Sequence, residues 1–198
     1  MFDWIVSTID SWGYVGVFLL MLLEHVFPPI PSELIMPLAG YLSATGGMSL
    51  TLTLLVGTAG SVTGTALWYF AARAIGETRL KHFARRYGRV LTLSPTDIDT
   101  AHGWFIRYGS YAAFFGRMIP AIRTLISVPA GFARMPFGSF LVLTTLGSAI
   151  WTALLTLAGY VLESQYHRVE GYIDPLSKLV LVVLVVVYLY RVATWKPH

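Results

Sequence analysis

Residues 34–72 carry no charged side chain, and neither do residues 135–162. A helix needs only about 20 apolar residues to cross the hydrocarbon core of a bilayer. One span fits within 50–72, a second within 137–162, and a third at about 174–194. Composition agrees: 56% of the 198 residues are hydrophobic and 12% charged, against about 25% charged in a soluble domain. The expected fold class is an all-α polytopic membrane protein forming a single membrane-embedded domain, residues 1–198. The absence of cysteine excludes disulfides, Cys-ligated zinc, iron–sulfur clusters and thiol catalysis, and leaves the redox compartment open.

Position decides what the basic excess means. Residues 1–72 contain no Lys or Arg, whereas 73–107 contain Arg73, Arg79, Lys81, Arg85, Arg86, Arg89 and Arg107. Basic loops stay cytoplasmic, so 73–107 is placed inside, and the net charge of +4 calls for no nucleic acid. The 163–174 loop, with three acids and Arg168 alone as base, goes outside; Arg191 and Lys196 return the C-terminus to the cytoplasm. Asp3 and Asp10 then lie outside. No removable signal peptide is expected, because no basic region opens the chain and the apolar run 11–23 leads into Glu24 and a proline cluster.

Four apolar runs are too short to cross: 11–23, 34–44, 108–116 and 124–133, each about half a bilayer at 1.5 Å per residue. Pro28, Pro29 and Pro31 interrupt the first pair and Pro120 the second, since proline removes a backbone donor and clashes with the preceding turn. Two re-entrant hairpins are expected, at about 13–44 and 108–133. Irregular backbone at membrane depth must be buried in protein or line a wet cavity, so their tips should face one. The regions also resemble each other. Met36-Pro-Leu-Ala-Gly-Tyr-Leu aligns with Val128-Pro-Ala-Gly-Phe-Ala when Ala39-Gly40 is set on Ala130-Gly131, an offset of 91.

This reads as a duplicated unit: first repeat 1–72, connector 73–107, second repeat 108–162, and an additional C-terminal helix at 174–194. A hairpin plus one crossing is an odd number of crossings, so the second copy is inverted, the architecture of many secondary transporters. In the connector, Leu80, Phe83, Ala84 and Tyr87 recur at helical spacing opposite its basic residues, which predicts an amphipathic helix on an anionic leaflet. Ser94-Pro95 with Asp97 predicts a helix start. Trp4, Trp12, Trp104, Trp151 and Trp195 fit interfacial anchoring.

Glu24 and Glu33 fall in the first hairpin, Arg117 and Arg123 in the second. A charge at membrane depth costs at least about 2.5–3.5 kcal/mol, so such groups pair or serve a substrate path. Taken singly, each has a plainer explanation: glutamates solvated in a loop, arginines snorkelling to the interface. Arg117 and Arg123 would point apart on an unbroken helix, but Pro120 between them lets both guanidiniums converge, and their planar forks suit a phosphate. A glutamate desolvated near an arginine can change protonation with cavity state, as proton coupling needs. His25 reads first as a helix-end histidine with a satisfied ring; Arg107 and Arg134 are explained by topology and snorkelling.

Glu24-His-Val-Phe-Pro-Pro-Ile-Pro-Ser-Glu33 followed by Pro37-Leu-Ala-Gly40, with Phe115-Gly-Arg117-Met-Ile-Pro120-Ala-Ile-Arg123 and Pro129-Ala-Gly131, strongly resembles the DedA family, also called the SNARE-associated or VTT-domain family. The resemblance implies a bacterial inner-membrane transporter of undecaprenyl phosphate, or of a phospholipid such as phosphatidylethanolamine, with proton motive force as driving force. It puts the family's embedded acids on Glu24 and Glu33 and its paired arginines on Arg117 and Arg123. Some members have an Asp and a longer spacer where this chain has Pro-Pro-Ile-Pro-Ser-Glu, so coupling details do not carry over. The expected partners are a lipid phosphate, the bilayer and protons, with a homo-oligomer left open. The other readings are a phosphatidylethanolamine flippase or scramblase, a proton or cation antiporter, and a lipid-phosphate enzyme. The last lacks any HExxH, G-x-S-x-G or clustered acids at metal-ligand spacing, so no enzyme, cofactor or metal is expected.

Overall fold

With no water in the hydrocarbon core to satisfy backbone groups, an apolar chain that does not close a barrel must be helical there, and every regular element among the described residues is. The computed structural model describes residues 2–26, 32–91, 94–118, 123, 126–162 and 186. The helices are α1 (Phe2–Val26), α2 (Ser32–Ala44), α3 (Leu50–Leu91), α4 (Pro95–Tyr108), α5 (Ser110–Gly116), α6 (Ser127–Phe132) and α7 (Phe137–Val161). Trp4–Val26, Leu50–Arg85 and Phe137–Val161 are long and apolar enough to cross a membrane. The chain is an all-α polytopic membrane protein. Of the expected C-terminal span at 174–194, only the helical Val186 lies within the described residues.

Three of these runs bend at glycines. Gly13 (φ 54°, ψ −127°) divides α1, leaving 14–26, which reaches only about 20 Å at 1.5 Å per residue, short of a core about 30 Å thick. Gly109 (φ 53°, ψ −135°) separates α4 from α5 with nearly the same dihedrals. Gly76 (φ 74°, ψ 160°) breaks α3, so the amphipathic stretch continues the long helix after a bend. Positive φ costs glycine nothing, and a side chain at these places would be strained.

The described residues form two units. One takes α1, α2, α3 as far as Thr65 and α7 from Thr144; the other takes α3 from Ala66, α4, α5, α6 and α7 as far as Leu143. In the first unit, Val17, Leu20 and Met21 of α1 pack with Leu34, Ile35, Met36, Leu38 and Ala39 of α2. Gly57, Gly60 and Gly64 let α3 meet this hairpin closely: a Cβ on Gly60 would lie 2.5 Å from the Phe18 carbonyl oxygen, and one on Gly64 2.9 Å from His25 Cβ. Hydroxyls join α3 to α7, Thr58 to Thr152 at 2.9 Å and Ser61 to Ser148 at 3.3 Å. Residue numbers rise along one helix and fall along the other, so the two cross antiparallel. Tyr14 Oη accepts a hydrogen bond from the Ser49 amide at 2.7 Å, tying α1 to the start of α3.

In the second unit, Tyr69, Phe105, Ala113, Ala130, Met135 and Phe140 form the core. Beside it, Ala84 and Ile98 bury against Phe132, with Leu80 and Ala101 packed on them. Leu80 and Ala84 of the basic stretch therefore pack on α4 and α6, while Phe83 remains exposed. Helix α4 begins at Pro95 as its start signal predicts, with Ser94 Oγ 2.7 Å from Thr96 Oγ1. One packing detail recurs in both units. A Cβ on Gly40 would run into the Thr156 carbonyl and Tyr160 amide of α7; one on Gly131 would run into the Tyr69 carbonyl and Arg73 amide of α3. The aligned Ala-Gly pairs thus each press on an i, i+4 backbone pair of a long helix.

Candidate functional site

Helix α5 ends at Gly116, where the side chain of Ile126 fills the space a Cβ would need. Arg117 follows, its amide donating to the Phe114 carbonyl at 3.1 Å, and its side chain turns inward to 3% exposure. One Nη2–H donates to Ser127 Oγ at 2.9 Å, and the guanidinium lies 5.9 Å from the centre of the Phe140 ring. Its Nε is buried and has no hydrogen-bond partner among the described residues. Arg123 is buried as well, and its positive charge acts on Arg117. Two buried guanidiniums within electrostatic reach, one with an unused donor, disfavour each other and favour an anion. A buried donor left unsatisfied costs about 1–3 kcal/mol, and a phosphate oxygen would remove that cost.

The wall behind Arg117 is aromatic. Tyr69 stacks on Phe140 with centroids 4.4 Å apart. Its hydroxyl donates to the Met135 carbonyl and accepts from Arg73 Nη1 at 2.7 Å. Arg73, the first lysine or arginine of the chain, thus holds the tyrosine that supports the ring facing Arg117. Sequence reasoning missed Ser127, Phe140 and Tyr69. Ser127 was signalled only as a polar residue in a short apolar run, and Tyr69 only by its i, i+4 spacing from Arg73.

The glutamates belong to the first unit and the arginines to the second. Glu24 is buried near the end of α1; Glu33 is exposed in the first turn of α2. His25 Nδ1 lies 3.0 Å from the Met21 carbonyl oxygen, the satisfied helix-end histidine expected. The structure brings Arg117 and Arg123 into one neighbourhood and separates Glu24 from Glu33 in burial. Pro28, Pro29, Pro31 and Pro120 lie outside the described residues. Among the described residues, no group of three His, Asp or Glu could hold a metal ion.

The VTT domain matches residues 30–161, which span α2 to α7 and include both arginines. The chain belongs to the VTT-domain (DedA) family. A relative named undecaprenyl phosphate transporter A, from Staphylococcus aureus, is 34% identical over 94% of this chain and 92% of its own length. A Bacillus subtilis protein of the same name is 32% identical over 96% of both. An alkaline phosphatase-like protein of Lactococcus lactis subsp. lactis is 39% identical over 95% of this chain and 88% of its own. No solved structure matches.

Proposed function

We propose that this VTT-domain protein carries undecaprenyl phosphate across the bacterial inner membrane and returns the carrier lipid to the cytoplasmic leaflet. The observation that carries the reading is Arg117: a buried guanidinium with an unused Nε donor, beside a second buried arginine, in a chain whose relatives include proteins named for this lipid. Arg117 and Arg123 bind the phosphate, for which a guanidinium fork is better suited than an ammonium. Glu24 and Glu33 couple the step to protons. Glu24 is buried near the end of α1, and an ionisable group at membrane depth serves an ion or substrate path. The two hairpins are re-entrant, the 73–107 stretch and the C-terminus are cytoplasmic, and the chain acts as a transporter, not an enzyme. The recurring glycine contacts and the antiparallel crossing of α3 and α7 support two inverted copies.

The test is reconstitution with labelled undecaprenyl phosphate or labelled phosphatidylethanolamine, following leaflet accessibility with and without an imposed pH gradient. Undecaprenyl phosphate should move faster than in empty vesicles, phosphatidylethanolamine should not, and Glu24→Gln should abolish the response to the gradient. Movement of phosphatidylethanolamine alone would assign the other lipid. A gradient response unchanged in both Glu24→Gln and Glu33→Gln would remove the glutamates from coupling.

A further inference from the structure

We infer that Ser127 is a positioning residue for the lipid phosphate: it accepts one hydrogen bond from Arg117 and holds the guanidinium so that its remaining donors face the anion. The inference rests on the reading of Arg117 as a phosphate ligand. Ser127 is fully buried, and its Oγ accepts from Arg117 Nη2 at 2.9 Å. A guanidinium has five N–H donors in a rigid fork. Fixing one nitrogen on a hydroxyl and setting the plane near the Phe140 ring therefore restricts where the others point. The buried Nε–H, without a partner among the described residues, is what such an arrangement leaves for a ligand.

A neutral hydroxyl suits this task better than a carboxylate. An acid at 127 would form a closed ion pair with Arg117 and compete with the phosphate, whereas a serine orients the cation and leaves its charge uncompensated. The side chain therefore acts on affinity through Arg117 without touching the lipid.

The experiment uses the purified full chain in detergent and farnesyl phosphate as probe, with farnesol as the uncharged control. Binding is read from tryptophan fluorescence during thermal unfolding across a concentration series. Ser127→Ala and the near-isosteric Ser127→Cys, a weak acceptor, should bind farnesyl phosphate about tenfold more weakly, as expected for losing a hydrogen bond to a charged group. Ser127→Thr, which keeps the hydroxyl, should restore affinity. Ser127→Cys should also lower the ligand-free unfolding temperature, because Arg117 Nη2–H loses its acceptor, but its loss of affinity should be confined to farnesyl phosphate and leave the farnesol response unchanged, which a merely structural role would not give. Wild-type affinity in both Ser127→Ala and Ser127→Cys would overturn the inference, as would loss of binding in Ser127→Thr equal to that in Ser127→Ala. If wild type does not distinguish farnesyl phosphate from farnesol, the phosphate reading of Arg117 fails and this inference with it.

Discussion

Arg117 sits where a positive charge is costly, and its surroundings show how the cost is met: a hydroxyl for one donor, an aromatic ring near the guanidinium, and one donor unused. Lysine cannot reproduce that arrangement, because an ammonium is a point charge without a fork. Arg117→Lys should therefore lower undecaprenyl phosphate transport at least about tenfold, the scale of one charged hydrogen bond, while purifying like wild type; dose-matched proteoliposome rates check this. Arg134 illustrates the opposite economy. Among the described residues it is the non-glycine residue at positive φ, 53°, in the turn closing α6, where its amide donates to the Gly131 carbonyl at 3.0 Å. Arg134→Gly should raise stability by about 1 kcal/mol, the cost of a left-handed side chain, measured by thermal unfolding in detergent. The buried Arg117 and Arg123 could be singled out in the sequence because a charge in an apolar run stands out. Ser127 and Tyr69 could not, because hydroxyls in membrane helices are commonly satisfied by the carbonyl a turn back, as Thr65 and Thr156 are here, and nothing in the sequence marks one that binds elsewhere.

At the scale of elements, glycines do two different jobs that look alike in sequence. Gly40, Gly131 and Gly159 sit where another backbone leaves no room for a Cβ, whereas Gly103 and Gly138 face open space. Gly131→Ala and Gly40→Ala should each destabilise by about 1–3 kcal/mol, the range for overpacking. Gly103→Ala, in the helical body of α4, should be neutral or stabilising by up to about 1 kcal/mol; unfolding midpoints of the three variants decide it. The long spans within 50–72 and 137–162 could be read from the sequence because their lengths are fixed by the thickness of the bilayer, whereas the run 11–23, read as half-length, lies in a helix from Phe2 to Val26 that bends at Gly13. The bends at Gly13, Gly76 and Gly109 could not, since a glycine that breaks a helix and one that admits a neighbour carry the same letter. The basic stretch shows a related limit: Leu80, Phe83 and Ala84 mark an apolar face, but periodicity does not say that Leu80 and Ala84 pack on α4 and α6 while Phe83 stays exposed.

At the scale of the whole molecule, topology rests on charge asymmetry and is directly testable because the chain has no cysteine of its own. A single cysteine at exposed Gly103 on α4 should react with an impermeant thiol reagent in inside-out vesicles and stay unreactive in intact spheroplasts; the reverse pattern would invert the assigned orientation. The central claim is that a phosphate-bearing lipid crosses the membrane by way of the arginine site. Its most direct measurement is the rate of leaflet exchange of labelled undecaprenyl phosphate in proteoliposomes, comparing wild type, Arg117→Ala, Arg123→Ala and, as a packing-neutral control, Gly103→Ala. The account predicts exchange well above empty vesicles for wild type and Gly103→Ala, and rates at the empty-vesicle level for both arginine variants. Exchange in Arg117→Ala and Arg123→Ala equal to wild type would contradict it.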